Sequence, residues 1–253
     1  MDKLLTVVIP SYNVEKFLNQ TLDSFVCDEA VMKKFEVIVV DDGSKDNTAK
    51  IGKEYADKYP DTFRVISKEN GGHGSTINCG IRNAVGKYFK VVDGDDWVNT
   101  ADFVKLVEDL EKTESEYVFT NYNEYYDDVN RQKTVDFPQF KDGTEYDFAD
   151  VANKVYIPMH ALVIKTSVLK DNNIVIDEKC FYVDVEYVMF PVPFVNKVTF
   201  FDLHVYMYRL ALSTQSVSIL GFQKHINDHL RVTFHMFDFY RDYISSDKAD
   251  SAK

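Results

Sequence analysis

Asp93, Asp95 and Asp96 place three carboxylates within four positions, in the stretch Val91-Val92-Asp93-Gly94-Asp95-Asp96-Trp97. They follow directly on an apolar run, and buried carboxylates are costly unless paired or bound to a cation. The pattern predicts the exposed end of a buried strand, where the carboxylates would hold a divalent metal and the metal a diphosphate. Taken alone, the same stretch also reads as an acidic turn opening the next helix, since Asp, Gly and Asn are common turn residues. Two further strand ends carry unusual residues. Asp41-Asp42-Gly43-Ser44 follows the apolar run Phe35 to Val40, and Pro10-Ser11-Tyr12-Asn13 follows Leu4 to Ile9.

The elements that position these loops alternate. Leu4 to Ile9, Phe35 to Val40, Phe63 to Ser67 and Tyr88 to Val92 read as buried strands. Between them the spacing predicts helices over Glu15 to Val26, from an Asp46 cap to about Lys58, and over Ser75 to Ala84. Strand alternating with helix is the signature of an α/β fold with a parallel sheet. Ligands of such sheets sit beyond the carboxyl ends of the strands, the end to which residues 10–13, 41–44 and 93–96 all belong. Beyond Trp97 the sequence predicts a helix over Ala101 to Lys112 and a strand over Glu116 to Tyr126. Loops with one hairpin follow from Asp127 to Asp150. Later strands are expected over Ala161 to Lys165, Val198 to Phe201 and Val205 to Arg209, and a long final helix over Phe222 to Ile244.

The 253 residues, 45% of them hydrophobic, suffice for a sizeable core. A formal net charge of -12 argues against non-specific nucleic-acid binding, which draws on excess Lys and Arg. It also means that a phosphorylated ligand would need a metal or a local basic patch. Cys27, Cys79 and Cys180 form neither a metal-ligand spacing nor a disulfide framework, which fits a reducing cytoplasm. The apolar segment closed by Pro10 is too short for a signal-peptide core, and no apolar run approaches the ~20 residues of a membrane helix. The expectation is a cytoplasmic protein, with contact at the inner face of the cell membrane left open.

The succession Val8-Ile9-Pro10-Ser11-Tyr12-Asn13, Val39-Val40-Asp41-Asp42-Gly43-Ser44, Glu69-Asn70-Gly71-Gly72 and Asp93-Gly94-Asp95-Asp96-Trp97 resembles the family 2 inverting glycosyltransferases in both order and interval. The likeness is strong over roughly the first hundred residues and weaker through Val183-Asp184 to Tyr208-Arg209. It implies the nucleotide-diphospho-sugar transferase (GT-A type) fold, a Rossmann-like α/β/α sandwich with a mainly parallel central sheet. Residues 1–215 would form the transferase domain, with a nucleotide-sugar half over about 1–100 and an acceptor half over about 101–215. Residues 216–253 would add a C-terminal helical extension.

The implied reaction moves a sugar from a UDP-sugar to an acceptor hydroxyl with inversion, in the synthesis of a cell-surface polysaccharide or glycolipid. Mn²⁺ or Mg²⁺ would bridge the diphosphate. By resemblance Asp95 stands at the metal and Asp93 and Asp96 near the ribose or the metal; which of Asp95 and Asp96 ligates directly stays open. Asp42 is similar to the aspartate that accepts a hydrogen bond from the uracil imide, and Asp41 reads as structural. Pro10, Ser11 and Tyr12 would line the base pocket, with Tyr12 stacked on the base. Glu15 either contacts the ribose or starts its helix. Asn13, Gly72, His73, Asn78 and Gly94 complete the donor set. Where many relatives read Ala-Arg-Asn, this chain has Thr76-Ile77-Asn78 and lacks the arginine. His73, Ser75, Lys68 or the helix N-terminus would have to substitute.

On the acceptor side Asp184 is the implied general base, Glu186 its competitor, and a helix-capping role for Asp184 is compatible with either. Arg209, with Gln215 and Ser216 after it, would lie over the diphosphate or acceptor, or Arg209 would simply form a surface ion pair. The aromatic final helix reads as core, as a homodimer contact, or as a face for a lipid-linked acceptor. Two other functions compete: a non-catalytic sugar-nucleotide binding module, and a phospho-acceptor signalling domain built on Asp41-Asp42. The second leaves Asp93 to Asp96 without a role.

Overall fold

Buried on both sides, the apolar runs pair into one sheet. The computed structural model describes residues 3–211 and 218–246. The strands are β1 (Leu5–Ser11), β2 (Phe35–Asp41), β3 (Phe63–Ser67), β4 (Tyr88–Val91), β5 (Trp97–Val98), β6 (Tyr117–Tyr126), β7 (Arg131–Val135), β8 (Thr144–Asp147), β9 (Leu162–Lys165) and β10 (Lys197–Leu210). The helices are α1 (Leu18–Asp23), α2 (Glu29–Met32), α3 (Thr48–Lys58), α4 (His73–Asn83), α5 (Thr100–Asp109), α6 (Phe148–Val151), α7 (Thr166–Asp171), α8 (Asp184–Met189), α9 (Ile219–Lys224) and α10 (Ile226–Ile244).

The order across the sheet is β3-β2-β1-β4-β9-β6-β10-β5, with β7 against β6 and β8 against β10. The first four strands are mutually parallel, and β6 and β10 form a second parallel pair. Antiparallel β9 joins the two groups. All seven residues of β1 and of β2 are buried, as strands covered on both faces must be. Leu5, Val7 and Ile9 pack into one apolar cluster with Phe25, Phe35 and Phe103; Val8 packs into the other with Ile38, Phe89 and Ile77. Two cores on two faces make the expected α/β/α sandwich.

Several elements differ from those expected. The strands expected over Val198 to Phe201 and Val205 to Arg209 are one strand, β10. Its register against β6 shifts between Phe201 and His204 and again between His204 and Tyr206. Such bulges interrupt the alternation of side chains, which is why the sequence reads as two runs. The hairpin expected within Asp127 to Asp150 is not formed inside that segment: β7 folds back antiparallel on the preceding β6, and β8 pairs with β10. The single helix expected over Phe222 to Ile244 is broken at His225, whose backbone leaves the helix (φ -111°, ψ 25°) while its ring lies 3.7 Å from that of Phe181. The cap expected at Asp46 lies one residue later at Asn47, but the Asp46 carboxylate still accepts from Thr48 N (3.0 Å).

In the order β3-β2-β1-β4 the chain leaves β1 toward β2 and returns on its other side at β4. Open α/β sheets form their ligand crevice at such a reversal. The loops after β1 and β4 meet there, Gly94 N donating to Pro10 O at 3.1 Å.

Candidate active site

A cavity of about 990 Å³ opens over the ends of β1 and β4. Its lining includes Pro10, Tyr12 and Asn13 from the first loop, His73 from α4, Asp93, Gly94, Asp95 and Asp96 from the loop after β4, and Asp184 from α8. Nine residues picked from the sequence as site candidates therefore share one space. Tyr12 is half exposed, which leaves an aromatic face open for stacking. Asn13 adopts a left-handed backbone (φ 55°), and its side-chain oxygen accepts from Lys45 N at 2.8 Å, so it ties this loop to the one after β2.

The acidic motif is held from below by β10. Asp96 is 1% exposed; one carboxylate oxygen accepts from the Tyr206 hydroxyl (2.6 Å) and the other from Arg209 N (2.7 Å). Burial, with Asp95 and Asp93 nearby, pushes its pKa well above the carboxylate range. Each oxygen thus has a donor from within the protein, while Asp95 is only partly buried at the cavity. Tyr206 also receives Asp93 N at 3.1 Å. Tyr206→Phe removes both bonds while keeping the ring, and leaves a buried carboxylate oxygen without its donor. The expected result is a stability loss of about 1.5–3 kcal/mol, read from the urea midpoint; an unchanged midpoint would show that Asp96 finds another donor.

His73 and Asp93 form an ion pair, Nε2 to Oδ1 at 2.8 Å. Burial opposes the imidazolium, but Asp93, with Asp184 and Asp95, outweighs it and raises the His73 pKa. Burial likewise opposes the Asp93 carboxylate, and His73 prevails in lowering its pKa. The pairing favours the protonated imidazole at the N-terminus of α4.

Arg209, expected over the diphosphate or acceptor or else in a surface ion pair, does not line the cavity. It is 5% exposed, and its guanidinium donates to Asp95 O (2.8 Å), Asp127 (2.5 Å) and Gln20 (2.6 Å) while lying 4.6 Å from the Trp97 ring. It braces the acidic loop from behind. Gln215 and Ser216 lie outside the described residues.

Asp42 is also buried, at 2% exposure. Oδ1 accepts from Gly71 N (2.9 Å) and Lys68 Nζ (2.8 Å), and Oδ2 from Gly72 N (2.8 Å). The carboxylate shapes the glycine loop, and Asp42 is not among the residues that line the cavity. Gly72 has φ 82°, and a Cβ there would lie 3.1 Å from Lys179 N, so the residue serves the close approach of that segment rather than lining the cavity. Lys68, a substitute for the missing arginine, is engaged with Asp42, Glu69 O and Ser75. Ile77, standing where that arginine would be, is fully buried in the core.

Three more expected residues do not line the cavity. Asn78 clamps Ile176, donating to its carbonyl (2.8 Å) and accepting from its N–H (2.9 Å). Glu15 accepts from Asn47 N and Nδ2 and precedes α1, so it neither starts that helix nor faces the site. Ser11 donates to Ile9 O (3.1 Å) at the end of β1.

Asp184 and Glu186 are separated cleanly by the structure. Asp184 opens α8 and lines the cavity; burial raises its pKa despite His73 nearby. Glu186 is fully buried away from the cavity, accepting from Asp177 N (2.8 Å) and facing His235 Nδ1 at 3.0 Å. With Arg231 on Asp177 (3.0 Å), this cluster fastens α10 to the segment before α8.

The sequence reading missed residues whose roles depend on pairing across the sheet. Tyr206 and Tyr208 stand beside the acidic motif only through β10. Lys90, fully buried in β4, was signalled by a charge inside an apolar run. His160, in the turn before β9, gave no signal of its own.

Hard oxygen donors suit Mg²⁺ or Mn²⁺, ions commonly bound through one or two carboxylates plus substrate phosphates. The donor set at Asp93 and Asp95 fits that pattern. Among the described residues, the only three acidic, His or Cys groups whose ligand atoms converge within 4.8 Å are Asp177, Glu186 and His235, so the acidic motif is no self-sufficient metal cage. Among the described residues, no helix is long and apolar enough to cross a membrane.

Residues 6–172 match the family described as glycosyl transferase family 2. EpsJ of Bacillus subtilis, an uncharacterized glycosyltransferase, is 38% identical over 118 residues, covering 47% of this chain and 33% of EpsJ. GgaB of the same organism, a minor teichoic acid biosynthesis protein, is 33% identical over 111 residues, covering 44% of this chain and 12% of GgaB. The chain thus spans a third or less of either relative. Among solved structures, S. aureus TarS 1-349 in complex with UDP-GlcNAc superposes with a TM-score of 0.73 at 21% identity, over 91% of this chain and 66% of that one. The mannosyltransferase PcManGT of Pyrobaculum calidifontis, with GDP-Man and Mn²⁺, gives 0.65 at 17% identity, over 93% and 65%.

Proposed function

This chain belongs to glycosyl transferase family 2, and from that premise we propose that it transfers a sugar from a UDP-sugar to an acceptor hydroxyl with inversion at the anomeric carbon. The observation that carries the reading is one cavity holding Asp93 and Asp95 from the switch-point loop together with Asp184 from α8. Asp95, rather than Asp96, is the metal-facing carboxylate, because both Asp96 oxygens have donors from β10. When bound there, Mn²⁺ or Mg²⁺ would offset the charge of the departing diphosphate.

The chain's own residues supply the rest. Tyr12 stacks on the base. Asp42 accepts a hydrogen bond from the uracil imide N–H, which favours uracil over cytosine, whose N3 carries no proton. The His73 imidazolium, held by Asp93, adds positive charge where phosphate oxygens arrive, the part the absent arginine would have played. Asp184 accepts the proton of the acceptor hydroxyl as its oxygen attacks the anomeric carbon opposite the diphosphate. The nucleotide of the donor occupies the half built from residues 1–100, the acceptor the later half and the C-terminal helices, and the transferred sugar lies between them.

Phe181, Tyr182, Phe222, Phe237 and Tyr240 line the same cavity, offering aromatic faces to a glycan or to a lipid-linked acceptor. Ile219, Leu220 and Phe234 are exposed and form the apolar surface for peripheral membrane contact or for pairing with a second copy. One relative, GgaB, is named for minor teichoic acid biosynthesis, which supports a role in making a cell-surface polymer.

The test is a thermal-shift series with UDP, CDP and UDP-sugars, each with and without Mn²⁺. At 100 times its Kd a ligand adds about 2.7 kcal/mol of stability, so UDP with Mn²⁺ is expected to raise Tm clearly, and CDP much less. No shift with any UDP species would overturn the reading. Binding without UDP release across a broad acceptor panel would favour a non-catalytic sugar-nucleotide module instead.

A further inference from the structure

Within the cavity one side chain is built into place and used by nothing described so far. His160 sits in the turn leading to β9, where Ala161 N donates to Pro158 O and Leu162 N to Met159 O. Its ring is stacked on Tyr208 (centroids 3.9 Å apart, planes at 27°) and on Tyr122 (5.6 Å, 28°), with Tyr206 edge-on at 4.9 Å. Beneath it, the buried Lys90 Nζ donates to His160 O (2.9 Å) and Leu162 O (3.2 Å). Three aromatic rings and a lysine thus fix the imidazole, yet among the described residues neither ring nitrogen has a hydrogen-bond partner.

A partly buried imidazole has both a donor and an acceptor to satisfy, and side chains locked by packing are what a binding site requires. Burial, aided by the Lys90 charge, lowers the His160 pKa to about 4 despite Asp93. The ring is therefore neutral at physiological pH and offers one N–H and one lone pair, the complement of a sugar hydroxyl, which both donates and accepts. A phosphate would favour a cation instead. His160 lines the same cavity as Asp93, Asp95 and Asp184. In the proposed reaction the transferred sugar lies between the diphosphate and the acceptor oxygen.

We propose that His160 is a sugar-recognition residue, hydrogen-bonding a hydroxyl of the transferred sugar through the ring nitrogens left unpartnered between Tyr122 and Tyr208. This rests on the sugar-transfer reading above. Tyr208 and Tyr122 would set the plane of the imidazole, and Lys90 its depth. All act through His160 as positioning residues.

The test measures affinity by calorimetry in the presence of Mn²⁺. UDP, UDP-glucose, UDP-galactose, UDP-N-acetylglucosamine and UDP-N-acetylgalactosamine are titrated into the wild-type chain and into His160→Ala, His160→Asn and His160→Gln. The reading is the ratio of UDP-sugar affinity to UDP affinity. One lost neutral hydrogen bond is expected to lower that ratio about threefold to tenfold in His160→Ala for at least one sugar. UDP affinity should stay unchanged even though the lost ring packing lowers Tm, and the ratio should recover in part in whichever amide variant reaches the same hydroxyl. A ratio unchanged in His160→Ala for every sugar overturns the proposal, and so does an equal loss for UDP and UDP-sugars, which would place His160 on the nucleotide. Failure of the wild-type chain to bind UDP with Mn²⁺ is a different result, and removes the transfer reading itself along with this inference.

Discussion

Asp184→Asn is expected to lower sugar transfer by roughly 10²–10⁴-fold, the usual worth of a positioned general base, while UDP still binds with Mn²⁺ as in the wild-type chain. The substitution keeps the shape and polarity of the side chain at the start of α8 and removes only its capacity to take a proton. Asp184 lines the cavity whereas Glu186 is fully buried and engaged with Asp177 N and His235, so no second carboxylate of α8 stands ready to replace it. Transfer rates in Asp184→Asn comparable to wild type would remove Asp184 as the base.

The pH dependence follows from the same environment. Burial raises the Asp184 pKa, with His73 opposing and Asp93 adding to the rise. A base must be deprotonated to act, so activity should fall as pH drops through that raised pKa. The acid limb of the rate profile should therefore lie above the range of an ordinary aspartate, and Asp184→Asn should abolish that limb along with the activity.

Asp95→Ala is expected to weaken Mn²⁺-dependent UDP binding by at least about 100-fold, beyond what loss of an outer-shell partner costs a metal site, with metal-independent binding of uridine little changed. Asp95, unlike Asp96, is partly exposed at the cavity. The matching substitution Asp96→Ala should behave differently. It leaves the Tyr206 hydroxyl and Arg209 N without their acceptor, so its first effect is on folding stability. Titration of Mn²⁺ against UDP affinity in both variants separates the two roles. If Asp96→Ala folds normally and loses metal dependence while Asp95→Ala keeps it, the assignment reverses.

Much of the donor side was legible because it is local. Strands buried on both faces are written as continuous apolar runs, and a run such as Leu5 to Ile9 has one stable solution in a chain that alternates with helices. The loops at their ends then inherit a shared edge, so Pro10 to Asn13 and Asp93 to Asp96 could be brought together on paper. The acceptor side was less legible. β10 carries register shifts that break its alternation, and α9 and α10 part at His225, where its ring packs on Phe181, a contact between residues distant in the chain.

The sequence by itself determined the family resemblance, the parallel α/β sheet of the first half and the group of carboxylates at its ligand-binding edge. These follow from periodicity and from residues adjacent in the chain. Only the tertiary structure decided what each polar group faces. Asp96 turned inward to Tyr206, Arg209 went behind the motif, Asn78 and Asp42 became clamps on neighbouring loops, and His160 was left with open nitrogens in the cavity. The reason is that a buried donor or acceptor must find a partner, and the partners here lie up to 189 residues away, from Gln20 to Arg209. Spacing along the chain can place a carboxylate at the end of a strand. Whether it meets a substrate or a tyrosine depends on which distant strand packs beside it.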